Sequence, residues 1–467
     1  MMRKPLIQRG AAVLFFIPML LCAQNATVTF TTVKQKIDGF GGSSAWEGTF
    51  SDALMSAIYG NGANQLGLTI LRNRIDPAGG WASDKSNSAK AKSLGAMVFA
   101  TPWSPPESLK TNNNTVKGYI DSSKFAGFAA WMKSYVAYCG ADNIDIMSIE
   151  NEPDYAQQIT YEGCGWSASN FMKFAKGYAP EIGKPIMLPE SFNYSFSLSD
   201  VTLDDSAAAK NVSFIGGHAY GSQPKSYTKA INLGKHVWMT EWNATDFTAK
   251  GIMVLAKQIL DYMYNDYNAY VYWWMTASGN GIISTTGTPN KYGWVLASFS
   301  KWVRPGYVRV DATYNPKSGV YVVAFKGAQN VTVAVNNSTA SVSQTFAYAG
   351  ATVTSVEKYT TSSDKNMTDD GPITATNNSF TATLDAQSIS TFVSAGTGTR
   401  IAPKAERYLL ANPLGGDRAG YLRYLINGRQ SPLPVLSGRE GQAFNMLVSP
   451  VQSDAGNGAG ANAKPSK

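Results

Sequence analysis

Between Phe40 and Trp302 the chain alternates short apolar runs with amphipathic ones, and few folds accommodate that order. Residues 68–75, 96–103, 144–152, 185–190, 212–220, 236–242 and 269–275 read as strands, and Phe40-Gly41-Gly42 as a short first one. Residues 123–139, 167–182, 249–266 and 291–302 space their apolar side chains three and four apart, as a helix with one buried face does. Strands and helices taking turns predict an α/β chain, because parallel neighbours need a crossover between them. Eight such strands predict a (β/α)8 TIM barrel over residues 37–304.

Past Arg304-Pro305-Gly306 the texture changes. Residues 307–310, 319–325, 331–335, 342–348, 352–359, 380–384 and 388–393 alternate with period two and are separated by Gly, Asn, Ser and Asp turns. That pattern predicts a side β-sandwich over residues 305–395. The early alternating run in residues 24–36 is placed in the same sandwich. The sandwich has almost no Trp, so packing on the barrel is expected of it rather than sugar binding.

Residues 1–23 begin with Arg3, Lys4 and Arg9, continue through an apolar run and end at Leu-Cys-Ala, the layout of a secretory signal peptide. The run is too short for a retained span, so a secreted chain without a membrane span is expected. Cys22 lacks the preceding small residue of a lipid-attachment site. Residues 396–467 form a C-terminal tail of no assigned role, Gly- and Ala-rich at its end. The net charge of +8 divides into +3 in the leader, +5 in the tail and zero between, so it gives no reason to expect nucleic acid. Cys139 and Cys164 are expected at opposite ends of one strand, which speaks against a bridge between them.

In a barrel of this kind the reacting side chains sit at the C-terminal ends of the strands. There the sequence places Trp46, Arg72 and Arg74, Trp103, Asn151 and Glu152, Glu190, His218 and Tyr220, Glu241 and Trp242, and Trp273 and Trp274. Two strand-end carboxylates, Glu152 and Glu241, suit a glycosidase, which needs one carboxyl as proton donor and another as nucleophile or base. Flat aromatic faces hold sugar rings, although a Trp also fills a core. Glu190 is a competing carboxylate. Neither of the two His lies in a metal-ligand or nucleophile-elbow motif, so no metal or cofactor is expected.

The motifs Ile149-Glu150-Asn151-Glu152-Pro153-Asp154, Thr101-Pro102-Trp103-Ser104-Pro105-Pro106, Gly217-His218-Ala219-Tyr220-Gly221, Trp238-Met239-Thr240-Glu241-Trp242 and Phe299-Ser300-Lys301-Trp302-Val303-Arg304-Pro305-Gly306-Tyr307 together resemble glycoside hydrolase family 30, its bacterial xylanase branch. The resemblance spans roughly residues 27–395 and implies a barrel with a side sandwich and retaining hydrolysis of β-linked polysaccharide; a monomer acting on β-1,4-xylan is expected. It implies Glu152 as acid/base and Glu241 as nucleophile. Asn151 would contact the sugar 2-hydroxyl, and Trp46, Arg72, Trp103, His218, Tyr220, Trp273 and Trp274 would line the substrate site. Tyr220 and His218 are candidates to hydrogen-bond Glu241. Glucuronoxylan-specific members place an Arg in the loop after the eighth strand, whereas residues 275–290 contain neither Arg nor Lys. Independence of glucuronyl branches follows from that absence. The alternatives are a β-1,6-glucanase or other β-glycanase, and an inactive carbohydrate-binding protein on the same scaffold.

Overall fold

The computed structural model describes residues 25–395 apart from Thr245 and Phe247. The expected signal peptide with Cys22 and the tail 396–467 lie outside the described residues. The first strand, β1 (Ala26–Lys36), leads into eight parallel strands: β2 (Gly39–Ser43), β3 (Ile70–Ile75), β4 (Met97–Pro102), β5 (Ile146–Ser148), β6 (Ile186–Ser191), β7 (Phe214–His218), β8 (His236–Glu241) and β9 (Ala269–Trp274). These eight close into a barrel, with β9 returning to β2 through pairs such as Ala269 with Gly39. Ile70, Phe99, Ile146, Met187, Phe214, Trp238 and Val271 pack together inside it, so the barrel is a filled core with no channel through this layer. Gly41 sits where β2 approaches β3 most closely; a Cβ there would run into the Ile70 carbonyl.

Helices α1 (Asp52–Tyr59), α2 (Ala82–Ser93), α3 (Phe125–Cys139), α4 (Ala168–Gly177), α5 (Phe196–Asp204), α6 (Ser206–Ala209), α7 (Thr228–Asn232), α8 (Ala249–Tyr264) and α9 (Lys291–Ser300) fill the crossovers. Several begin with the expected cap, as where Asn290 accepts from the Gly293 amide at 3.2 Å. The four helices read from the sequence are present, somewhat shorter than their apolar patterns. Helix α2 has no apolar stripe: it buries Asn87 and Ser88, and Asn87 is held by the Phe50 amide and the Gly48 carbonyl at 2.9 and 2.8 Å. A helix docked through polar bonds gives no periodic signal.

Eight further pairings build the side domain. Strands β10 (Val308–Ala312), β11 (Val320–Lys326), β12 (Gln329–Asn336), β13 (Val342–Ala349), β14 (Ser355–Thr361), β15 (Thr368–Thr374), β16 (Ser379–Leu384) and β17 (Ser388–Ala395) join β1 in one continuous sheet, ordered β15-β14-β17-β12-β11-β10-β1-β13-β16. The sheet folds over on itself as a sandwich whose halves meet at Phe30, Tyr348, Phe346, Phe380 and Phe392. Strand β1 therefore belongs to the sandwich, antiparallel to β10 and parallel to β13. Along β11 the alternation separates two cores: Val320, Val322 and Ala324 face the sandwich interior, while Val323 and Phe325 join the core of the barrel helices. Strand β15 has no counterpart in the alternating runs. It is an exposed edge carrying Asp369, Asp370 and Pro372, and charge and proline are what protect such edges.

Cys139 and Cys164 are buried free thiols. No helix among the described residues is long and apolar enough to cross a membrane.

Candidate active site

The barrel mouth is built by strands that do not stay regular to their ends. In β6 the inward-facing Met187 and the mouth residue Glu190 are three apart, and so are Trp238 and Glu241 in β8. A period of two would send the members of each pair to opposite faces. A register shift lies between Leu188 and Ser191 in the first case and between Met239 and Glu241 in the second, and it turns both carboxylates inward. Strand β5 ends early, at Ser148, and the expected run to residue 152 is instead a bent segment. Asn151 pairs with Glu190 as an isolated bridge, and the Glu152 amide donates to the Glu190 carbonyl at 2.8 Å. Glu152 itself has φ of 45°, a left-handed backbone that a non-glycine residue adopts at a cost. The bend separates the two glutamates of Glu150-Asn151-Glu152. Glu150 is buried against Trp166, which donates to it at 3.1 Å, and burial pushes its carboxyl well above the usual range. Glu152 faces the mouth.

One carboxylate oxygen of Glu152 and one of Glu241 lie within 4.8 Å of each other, with a His218 nitrogen in the same group. The Arg72 guanidinium, fully buried, donates to Glu241 Oε2 and, at 2.7 Å, to Asn151 Oδ1; it pairs with Glu190 Oε2 at 3.0 Å. The Tyr220 hydroxyl donates to Glu241 Oε1 at 2.8 Å. His218 behaves differently from the expectation that it would bond Glu241. Its Nδ1 lies 2.8 Å from Glu152 Oε1 and 3.8 Å from Glu241 Oε1, although the register of β7 and β8 pairs His218 with Glu241.

Burial raises the Glu152 carboxyl above its ordinary value, against the lowering effect of the His218 hydrogen bond. Burial would hold His218 neutral, but the Glu241 charge, the hydrogen bond with Glu152 and the Glu190 carboxylate 3.5 Å from Nε2 push it up to about 9. Glu190 goes the other way: burial opposes its charge, yet Arg72 and His218 hold it down to about 2. Glu152 therefore favours the protonated form, while Arg72 and Tyr220 place hydrogen-bond donors on Glu241. This is the division of labour that a carboxylate pair in sugar chemistry requires.

A glucuronoxylanase of Bacillus subtilis (strain 168), XynC, is 36% identical over 395 residues, which cover 80% of this chain and 92% of that protein. The chain belongs to glycoside hydrolase family 30. Among solved structures, the family 30 subfamily 8 xylanase Xyn30A of Clostridium acetobutylicum matches at 41% identity with a TM-score of 0.76. A family 30 endoxylanase of Clostridium papyrosolvens C71 matches at 38% and 0.74. Each match covers 80% of this chain and 100% of the other. A scan against family models found no match.

Within this family 30 site, the expected substrate residues divide into two layers. Arg72 and His218 have no exposed surface and stand behind the carboxylates, so they hold those groups and have no surface to offer a sugar. Trp103 and Trp273 are buried side by side, with ring centroids 5.5 Å apart, and Trp103 also covers the Arg72 guanidinium at 4.5 Å. Trp46 stands edge-on to both rings and is half exposed, with Arg74 over its face at 4.8 Å. Trp274 and Tyr220 are partly exposed at the same mouth. Sequence reasoning missed Tyr155 and Phe192, which stack at 4.0 Å and continue to Tyr220 at 5.3 Å. Their signal was present, since each follows a strand-end carboxylate by two or three residues. Glu152, His218 and Glu241 also have the spacing of a metal-ligand group, but His218 Nδ1 faces Glu152, and Glu241 receives bonds from Arg72 and Tyr220.

Proposed function

We propose that this family 30 enzyme is a retaining endo-β-1,4-xylanase, exported through residues 1–23 and acting as a monomer, with Glu152 as acid/base and Glu241 as nucleophile. The observation that carries the reading is the approach of the two carboxylates, within 4.8 Å across the mouth. Retention requires roughly 5 to 5.5 Å between the carboxyl groups, whereas inversion leaves room for water at roughly 6.5 to 9.5 Å. In the first step Glu241 attacks the anomeric carbon while Glu152 protonates the leaving oxygen. In the second, Glu152 takes a proton from the water that releases the sugar from Glu241. Asn151, held by Arg72, is placed beside Glu241 to meet the 2-hydroxyl, and Trp46 offers the exposed ring.

Two features support independence of glucuronyl branches. Residues 275–290 carry no cation, and Lys291 beyond them turns to the sandwich, where it donates to the Lys365 carbonyl and to Asn366 at 3.0 and 2.6 Å. The side chain that does enter this loop is an acid, Glu47, bonded to the Thr276 amide at 2.6 Å. Such a side chain offers a uronate no cation to pair with, as an Arg would. The test is product profiling on glucuronoxylan, arabinoxylan and linear xylo-oligosaccharides, with a β-1,6-glucan as control and NMR of the first-formed anomer. Comparable cleavage of linear and branched xylans with β-anomer products is expected. Products bearing a glucuronyl group at one fixed position would overturn the specificity reading, and α-anomers the retaining one. A carbohydrate-binding protein without activity would show no cleavage at all.

A further inference from the structure

The proposed chemistry uses two carboxylates, and the barrel mouth holds a third. Glu190 is fully buried. Its Oε1 accepts from the Thr101 hydroxyl at 2.6 Å, and its Oε2 lies 3.0 Å from Arg72 and 3.5 Å from His218 Nε2. A buried anion is costly to keep unless it serves its neighbours. The His218 ring stands between two acids, with Nε2 toward Glu190 and Nδ1 toward Glu152. An anion beside Nε2 favours the tautomer carrying its hydrogen there. The neutral ring then presents a lone pair on Nδ1 to the protonated Glu152, and the charged ring presents an N–H to the Glu152 carboxylate. In both forms a single proton is shared between Glu152 and His218.

We propose that Glu190 is a positioning residue: it holds His218 through Nε2 so that Nδ1 faces Glu152, and its charge retains the proton those two groups share. The proposal rests on Glu152 being the acid/base. In the first step that proton leaves on the departing sugar oxygen as the glycosidic bond breaks and the bond to Glu241 forms. In the second, the attacking water returns a proton to the pair as the Glu241 ester breaks. The charged groups facing the pair are Arg72 from β3, Glu190 from β6 and Glu241 from β8; Tyr220 beyond β7 is neutral, and β4 contributes the uncharged Thr101. Loss of the proton leaves the pair with a net negative charge, which Glu190 and Glu241 oppose and Arg72 favours. Neutralising Glu190 therefore makes the proton easier to lose. A unit charge at about 5 Å in a medium of effective dielectric about 20 moves a titration by about two pH units.

The experiment is the pH profile of kcat/KM on a linear xylo-oligosaccharide for the wild type and Glu190→Gln, since that ratio reports the free enzyme. The alkaline limb is expected to move about one to two units toward lower pH. An unmoved limb in a variant with wild-type circular dichroism would overturn the proposal. A second measurement needs no variant: 15N NMR of the imidazoles, with only two His in the chain. It is expected to show His218 protonated at Nε2 throughout and losing its proton from Nδ1; a neutral ring protonated at Nδ1 would overturn the assignment. Glu152→Gln, measured in parallel, separates the two readings. Xylan hydrolysis at the wild-type rate in that variant removes the acid/base role of Glu152 itself. Its loss, together with an unmoved Glu190→Gln limb, removes only the role of Glu190.

Discussion

Arg72 and Glu190 form an ion pair at 3.0 Å in which neither side chain has any exposed surface. The same guanidinium also holds Glu241 and Asn151, so one planar donor group sets the spacing of three mouth residues. Arg72→Leu leaves those carboxylates buried without their cation, and a loss of about 3–5 kcal/mol is expected, read by urea unfolding. Arg72→Lys keeps the charge but replaces the fork by a point donor. It is expected to be the more stable of the two variants, yet still to lose most of its kcat/KM, because one ammonium cannot address Asn151 and Glu241 in the geometry the guanidinium satisfies.

The raised titration of His218 makes stability depend on pH in a defined direction. In the folded chain the Glu241 charge, the bond with Glu152 and the nearby Glu190 carboxylate outweigh burial and bring it to about 9, against 6.5 for the free group. The folded state therefore binds the proton more tightly, and this stabilisation is complete below pH 6.5 and is lost as the pH rises through 9. Urea midpoints from pH 6 to 10 are expected to fall more steeply for the wild type than for His218→Gln. Parallel slopes would show that the ring is not held as an imidazolium.

Two of the tryptophans at the mouth should separate by function. Trp46 is half exposed, so Trp46→Ala removes a ring that the fold does not bury; a rise in KM of roughly tenfold is expected, about 1.4 kcal/mol, with little change in Tm. Trp103 is buried against Trp273 and Arg72. Trp103→Ala is expected to cost about 3–5 kcal/mol of stability, as truncation of a core aromatic does. Thermal melting beside xylan kinetics distinguishes the two outcomes.

How far the molecule could be read in advance follows from which forces leave a local trace. The barrel strands are apolar runs because both faces are covered, and β1 was recognisable as a sandwich strand from its alternation alone. Glu152 and Glu241 stood out for the same reason, as charges closing apolar runs. What the local pattern could not carry is the pairing of residues far apart in the chain. His218 pairs in register with Glu241 yet turns its ring to Glu152, and the bulges in β6 and β8 that set this arrangement have no hydrophobic period of their own. Glu190 looked like a weaker copy of the other acids; its distinct environment depends on Arg72 and Thr101, each roughly a hundred residues away. Helix α2 and edge strand β15 were missed because polar bonds and exposure, rather than an apolar face, define them.

Glu47 links the loop carrying Trp46 to the loop after β9, and this tie should itself respond to pH. Its carboxylate accepts from the Thr276 amide at 2.6 Å, the Thr276 hydroxyl at 3.1 Å and the Met275 amide at 3.2 Å, while Trp274 donates to the Ala45 carbonyl at 2.8 Å beside it. Burial raises its titration to about 7 from 4.5, and the bonds to Thr276 and Met275 only partly offset that. A carboxyl raised on folding binds its proton more tightly in the native state, so stability falls as the pH rises from 4.5 to about 7. Glu47→Gln keeps an acceptor for the amides and removes the titration. Its Tm, compared with that of the wild type at pH 4.5 and 7.5, is expected to show a smaller decline over that interval. KM for xylo-oligosaccharides should rise in the variant with kcat less affected, since Trp46 and Trp274 would be held less firmly while the carboxylate pair stays in place. A decline equal to that of the wild type would mean that Glu47 is ionised across the whole range and that the tie between the two loops does not depend on pH.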